Sequence, residues 1–241
     1  MPAIVLSYAA VVHRLALAAG MAASLFAAGT AAAGVHRLVL GHSVDGRPIV
    51  AIELGNPLSP RKVLVVGCIH GNEPAGTAIA GRLALLGPPA GVDLWIVPSF
   101  NPDGQAAGTR GNAHAVDLNR NFPWRWQHRS GVSYSGPRPL SEPESSIAYH
   151  LVHRLRPVIS IWFHQHLNVV DTSEGNVALE RRYAGLVGLS TTTLTREPGS
   201  VVTWENHLLP HGSAFVVELH TGRLTASTAL RFARAIDTIA R

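Results

Sequence analysis

The sequence predicts one α/β domain: a central, mostly parallel mixed sheet with helices on both faces. Three observations carry this prediction. Short apolar runs lack the alternation of a half-exposed strand, segments of helical spacing lie between them, and polar residues cluster where the apolar runs stop. "KVLVVGCI" (62–69), "VDLWIVPSF" (92–100), "VISIWF" (158–163) and "SAFVVEL" (213–219) are continuous apolar runs, as expected of strands covered on both faces. Upstream, "HRLVLGHSVDGRPIVAIELG" (36–55) reads as two strands around an Asp45-Gly46 turn. "EPAGTAIAGRLALL" (73–86) has helical spacing and an early proline, which suits a helix start. "SEPESSIAYHLVHRL" (141–155) opens with Ser141, Pro143 and Glu144, a capping-box pattern. "TASTALRFARAIDTIAR" (225–241) closes the chain as an amphipathic helix.

The 241 residues are 46% apolar and only 15% charged, a balance that supports a sizeable core and argues against disorder. Residues 1–33 are set apart from the domain at 34–241. His13 and Arg14 precede an uncharged, alanine-rich run, and "TAAAG" (30–34) offers small residues at A-x-A spacing. The segment reads as a signal peptide cut near Ala33, or as an N-terminal anchor if it is not cut. Either reading puts the domain in the periplasm or outside the cell, with membrane association only through an uncleaved segment.

Formal net charge is +5, but the arginines are scattered, Lys62 is the only lysine, and no nucleic-acid-binding motif is present. A nucleic-acid partner is not expected. Cys68 is the single cysteine, so no intrachain disulfide forms, and its place in an apolar strand predicts a buried, inert thiol.

The chemistry concentrates at strand ends. His70 and Glu73 in "HGNE" stand three apart where a buried strand stops. Two readings fit: a polar turn, or two metal ligands awaiting a third, since a catalytic zinc takes three protein ligands and keeps one position open. "NPDGQAAGTRGNAHAVDLNRNFP" (101–123) is a long polar segment that packs Asp117, Asn119, Arg120 and Asn121 together. Such density of directed polar groups in a loop marks function. Arg110 and Arg120 are candidates to hold a substrate carboxylate and a developing oxyanion.

"HGNE", "NPDG" and "DLNRNFP", in this order and followed by "SEPES" and "VVEL", resemble the zinc carboxypeptidases of the M14 family. The wording "TRGNAHAVDLNRNFP" is most similar to the murein peptide amidase branch, whose members are γ-D-glutamyl-meso-diaminopimelate peptidases. The resemblance spans roughly residues 60–220. It implies a zinc-carboxypeptidase-like fold, a Zn2+ cofactor and a peptide substrate from the cell wall. The reaction implied is hydrolysis of a peptide or amide bond next to a residue with a free carboxylate.

The resemblance also implies residue roles. His70 and Glu73 would be the first two metal ligands. "ISIWFHQHL" offers two histidines for the third, and the family pattern of a strand running directly into histidine points to His164, with His166 the alternative. Asp117 would orient His70 from behind. Asn119 and Arg120 would grip the substrate's terminal carboxylate, and Arg110 would stabilise the tetrahedral oxyanion. Glu218, a carboxylate ending the apolar "AFVV" run, would be the general base that activates the attacking water. Unpaired and unused, it would be costly there.

Two other functions fit parts of the pattern. N-acyl amino acid deacylases of the aspartoacylase and succinylglutamate desuccinylase type share "HGNE" and "DLNR"-like motifs, whereas "NPDG" and "SEPES" favour the peptidases. A non-catalytic module binding wall peptides is the alternative of another class; the full set of roles argues against it. Two regions stay open from sequence. Residues 123–140 form either a rim over the cleft or a surface loop. Residues 195–206 resemble a segment that shapes the leaving-group pocket, with Arg196, Ser200 or Trp204 facing inward. His150 and His153 read as solvated on a helix. Tyr183 is the only tyrosine between 167 and 217, and its position does not suit a mobile active-site tyrosine.

Overall fold

The computed structural model describes residues 34–241; the predicted signal peptide or anchor lies outside the described residues. The predicted fold class is found. β1 (Gly34–His42) and β2 (Pro48–Gly55) form an antiparallel hairpin. Gly46, at φ 79°, takes the left-handed position in the connecting turn. β2 joins β4 (Asp93–Val97) antiparallel, and β4 joins β3 (Lys62–Val66) parallel. β3 then pairs in parallel with β5 (Ile159–Asp171), which pairs in parallel with β6 (Ser190–Thr192) and β7 (Ser213–His220). The seven strands thus form one mixed sheet whose centre, β4-β3-β5-β7, is parallel. Residues 63–66, 94–97 and 159–163 of those central strands are buried on both faces, which is why these stretches read as nearly continuous apolar runs rather than alternating ones.

Helices close both faces. On one, Ile79 and Leu83 of α1 (Gly76–Leu86), Tyr183 and Val187 of α4 (Val177–Val187), and Phe232 and Ile236 of α6 (Ala226–Ala240) pack with Val65, Ile161 and Val217. On the other, Leu151 and Val152 of α3 (Pro143–Leu155) and Trp204 of α5 (Val201–Leu208) pack with Leu64, Val66 and Trp162. A short α2 (Pro102–Ala107) follows β4. No helix among the described residues is long and apolar enough to cross a membrane.

Two local expectations are corrected. Pro74 is not in the first turn of α1, which starts at Gly76 after Ala75. The capping box at Ser141 does not form: Glu142 is the N-cap of α3, without a side-chain cap bond. Ser141 Oγ donates instead to Glu142 Oε1 at 2.7 Å, and Glu144 is drawn inward to Asn112 and to the backbone of Val44. Tertiary partners for these acids outweigh the local capping geometry.

Candidate active site

β3 and β5 are adjacent and parallel, so the segments leaving their carboxyl ends emerge side by side, where ligands of α/β sheets bind. The turn after β3 carries His70 and Glu73, and β5 runs on into His164. The local fold depends on a close backbone approach. A Cβ on Gly71 would lie 1.9 Å from the Gly104 carbonyl carbon, so only glycine lets the "HGNE" turn sit on "NPDG". Asn101 caps α2 by accepting from Gly104 N at 2.9 Å and donates to the Arg110 carbonyl at 3.2 Å. "NPDG" is therefore the seat on which the "HGNE" turn and Arg110 rest.

His70 Nδ1, Glu73 Oε2 and His164 Nδ1 form a triangle with sides of 3.0, 3.0 and 3.1 Å. His70 Nε2 meets Asp117 Oδ1 at 3.0 Å. Donation of the Nε2 proton to that carboxylate leaves a lone pair on Nδ1. Three electron-rich atoms then face one another in a buried place, which is repulsive unless a cation or protons stand among them. Ligands of a tetrahedral ion at zinc's bond lengths lie about 3.3 Å apart, a few tenths of an ångström wider than this triangle. The donor set of two imidazoles and a carboxylate fits such an ion, and it is the one metal-competent cluster among the described residues.

With no ion among them, the surrounding groups keep the two carboxylates ionised and favour a proton on the His70 ring, a proton that a bound cation would replace. Burial alone would raise Glu73, but hydrogen bonds with His164 and His70 hold it far below the usual carboxylate range. Burial would likewise raise Asp117, yet the hydrogen bond with His70 and nearby Arg110 and Arg120 keep it well below its usual value. Burial would lower His70; its bonds to Asp117 and Glu73 outweigh that and raise it.

Arg110 donates from Nε to Asp117 Oδ2 at 2.9 Å and from Nη1 to Glu73 Oε1 at 3.1 Å. It therefore grips the two carboxylates from outside while lining the cleft. Asn119 accepts from Val201 N at 2.9 Å, which ties the "DLNR" turn to the start of α5. Arg120 donates from Nη1 to the Asn119 carbonyl at 2.8 Å, and its buried Nε has no hydrogen-bond partner. Glu197 lies 3.9 Å from that Nε and 2.8 Å from Arg129 Nη2. Glu218 is paired in register with His164 across β5 and β7, and in a parallel pair such residues point to the same face. It is half-buried, lines the cleft, and makes no ion pair with an arginine among the described residues.

All eight predicted site residues cluster, and seven of them line one cleft, with Asp117 buried behind His70. His166 is exposed and outside the cleft. Of the three candidates in 195–206, Arg196 and Ser200 line the cleft, while Trp204 is buried between Phe122 and Tyr149. Residues 123–140 form a surface loop: Trp124 stacks on His207, and Trp126 Nε1 donates to the Ser135 carbonyl. His150 is exposed, and His153 packs by Tyr149 and Trp204. Tyr183 is fully buried, far from any mobile role. Cys68 is buried, its thiol pushed up to about 12 by burial, and it donates to the His70 carbonyl.

Sequence reasoning missed the supports of the "DLNRN" turn. Asn121 Nδ2 donates to the Ser135 and Arg138 carbonyls, and its Oδ1 accepts from Ser145 Oγ at 2.5 Å. Asn112 Nδ2 donates to both Glu142 and Glu144. "SEPES" thus buttresses the site loop; its unusual load of buried acids was the available signal.

A family model described as zinc carboxypeptidase matches residues 90–176, the stretch holding Arg110, Asp117, Asn119, Arg120 and His164. The chain is 29% identical over 180 residues to murein peptide amidase A of Escherichia coli K12, covering 68% of this chain and 74% of that one. It is 33% identical over 147 residues to the same-named protein of Vibrio campbellii, covering 54% and 58%. Among solved structures, murein-tripeptide amidase MpaA of Escherichia coli O157 superposes with a TM-score of 0.68 at 24% identity, over 88% of this chain and 94% of that one. Bovine thrombin-activatable fibrinolysis inhibitor gives 0.71 at 19% identity, over 86% and 89%.

Proposed function

We propose that this chain, a zinc-dependent hydrolase related to the metallocarboxypeptidases, cleaves the γ-D-glutamyl–meso-diaminopimelate bond of murein peptides. The observation that carries the reading is the buried triangle of His70, Glu73 and His164 donors beside Glu218, in a cleft that also presents Arg120. The similarity to murein peptide amidases supports the choice of bond. The same similarity favours a peptide over an N-acyl amino acid or a merely bound wall peptide.

His70, Glu73 and His164 would hold the zinc ion, which when bound supplies Lewis acidity for the scissile carbonyl and the attacking water. Asp117 keeps the His70 proton on Nε2, so that Nδ1 faces inward as a lone pair. Glu218 takes a proton from the attacking water and returns it to the leaving amine. Its position opposite His164 puts it within the cleft, and no arginine ion-pairs with it among the described residues. Arg110 supplies positive charge at the cleft wall toward the developing oxyanion while locking Glu73 and Asp117. Arg120, with Nε unpartnered, and Asn119 receive the carboxylate of the released residue.

The proposal extends to location: residues 1–33 export the domain to where wall peptides are accessible, a point that N-terminal sequencing of the protein recovered from cell fractions would test. The activity is tested by incubating zinc-loaded protein with L-Ala-γ-D-Glu-meso-diaminopimelate and following the products by mass spectrometry. Release of diaminopimelate that a chelator abolishes and zinc restores is expected. An intact tripeptide in the presence of stoichiometric zinc would refute the substrate assignment.

A further inference from the structure

One charged pair in the cleft has no part in the hydrolysis as described. Glu174 follows β5, and its side chain is only 10% exposed although it lines the cleft. Its Oε1 accepts from Thr203 Oγ1 at 2.5 Å; Oε2 accepts no hydrogen bond among the described residues. Arg196 Nε stands 3.8 Å from Glu174 Oε1, an ion pair too long for a hydrogen bond, so each group keeps hydrogen-bonding capacity for a ligand. Arg196 is anchored through Nε and Nη2 to the Ser173 carbonyl, which leaves Nη1 without a hydrogen-bond partner among the described residues. Nearby Asp171 accepts from Ser173 N, Ser173 Oγ and Leu194 N and adds negative charge to this end of the cleft.

The same loop ties this pair to the carboxylate-binding end of the cleft. Gly199 packs on the Arg120 carbonyl, where an added Cβ would come within 2.3 Å, and its own carbonyl accepts from Phe122 N. Consecutive residues Arg196 and Glu197 therefore face different stations: Arg196 stands by Glu174, and Glu197 by Arg120. Val202 and Val216 also line the cleft and offer apolar wall for methylene groups.

We infer that Glu174 and Arg196 form a subsite for a zwitterionic side-chain terminus, an ammonium beside a carboxylate, on the residue that hydrolysis releases. The ammonium meets the free Oε2 of Glu174, and the carboxylate meets Nη1 of Arg196. An uncharged side chain would cover Glu174 without replacing its water, which is unfavourable for a buried carboxylate. The inference rests on the reading of this cleft as a peptide hydrolase site and deepens it, since it names two residues that choose the leaving group.

The test uses zinc-loaded full-length protein and three tripeptides with the same L-Ala-γ-D-Glu stem. They end in meso-diaminopimelate, L-lysine (ammonium only) or L-norleucine (neither charge). For the wild type, kcat/KM should fall in that order. Glu174→Gln should lower the diaminopimelate-to-norleucine and lysine-to-norleucine ratios by about ten- to a hundredfold, the span of a lost charge-assisted bond. Arg196→Gln should lower the diaminopimelate-to-lysine ratio while the lysine-to-norleucine ratio holds. Ratios taken within one preparation cancel any loss of folded enzyme. Wild-type rates within threefold across the series, or variants that leave the ratios unmoved, would overturn the subsite while the hydrolase reading stands. Zinc-loaded wild type that cleaves none of the three would overturn the substrate assignment and the subsite with it.

Discussion

Asp117→Asn is an isosteric change whose cost follows from three contacts. Asp117 Oδ1 accepts from His70 Nε2 and from Asn119 N, both at 3.0 Å. An asparagine oxygen can keep both. Asp117 Oδ2 accepts from Arg110 Nε at 2.9 Å, and there the amide would oppose donor to donor. The lost bond is charge-assisted, worth about 1.5–3 kcal/mol, and because Arg110 is 30% exposed the lower end of about 1.5 kcal/mol applies to folding stability. The imidazole also loses its anionic partner, which lowers metal affinity about 10- to 100-fold, or roughly 1.4–2.7 kcal/mol. Zinc competition against a chromophoric chelator reads the second effect, and urea unfolding of the metal-free protein reads the first. Zinc affinity within twofold of wild type would refute the claim that Asp117 orients a metal-binding His70.

Glu218→Gln should retain stoichiometric zinc but lose kcat by about 10²- to 10⁴-fold on the tripeptide; wild-type turnover would remove Glu218 from the proton-transfer role. Gly71→Ala should lower the thermal midpoint and weaken zinc binding together, because its Cβ collides with backbone at Gly104, and overpacking of that kind costs on the order of 1–3 kcal/mol. Unchanged calorimetry and zinc content would show that the turn has room. Buried Glu205 is held by Ser160 and Trp162, and burial pushes its carboxyl up to about 7. A carboxyl raised above its unfolded value favours folding below about pH 4.5, and that contribution is lost as pH climbs through 7. Glu205→Gln should therefore flatten the fall in unfolding free energy between pH 5 and 8 and exceed wild-type stability at pH 8. An unchanged slope in urea titrations at pH 5, 6.5 and 8 would contradict it.

How far the sequence was legible depended on where each residue's partners lie. His70, Glu73 and Glu218 are polar residues at or just beyond apolar strands, so burial made them conspicuous, and the order of motifs supplied Asp117 and His164. Which histidine of "HQH" turns inward depends on how β5 continues: the structure buries His164 and leaves His166 in solvent. The α4 helix went unread although its pattern was present. Its buried residues Glu180, Tyr183, Ala184 and Val187 have i, i+3, i+4, i+7 spacing, and Asn176 caps Ala178 and Leu179. The inward Glu180 disguised the apolar face; burial pushes its carboxyl up to about 8. The roles of Arg110 and "SEPES" could not be read locally, because their partners lie 7 to 37 and 20 to 100 residues away.

The central claim is that His70, Glu73 and His164 hold one zinc ion between β3 and β5. A crystal of the zinc-loaded protein, measured on both sides of the zinc absorption edge, tests it most directly. One anomalous peak is expected, about 2.0–2.2 Å from His70 Nδ1, His164 Nδ1 and a Glu73 carboxylate oxygen. A peak at another site, or a zinc-loaded protein with density for a hydrogen-bonded triad and no anomalous signal there, would contradict the account.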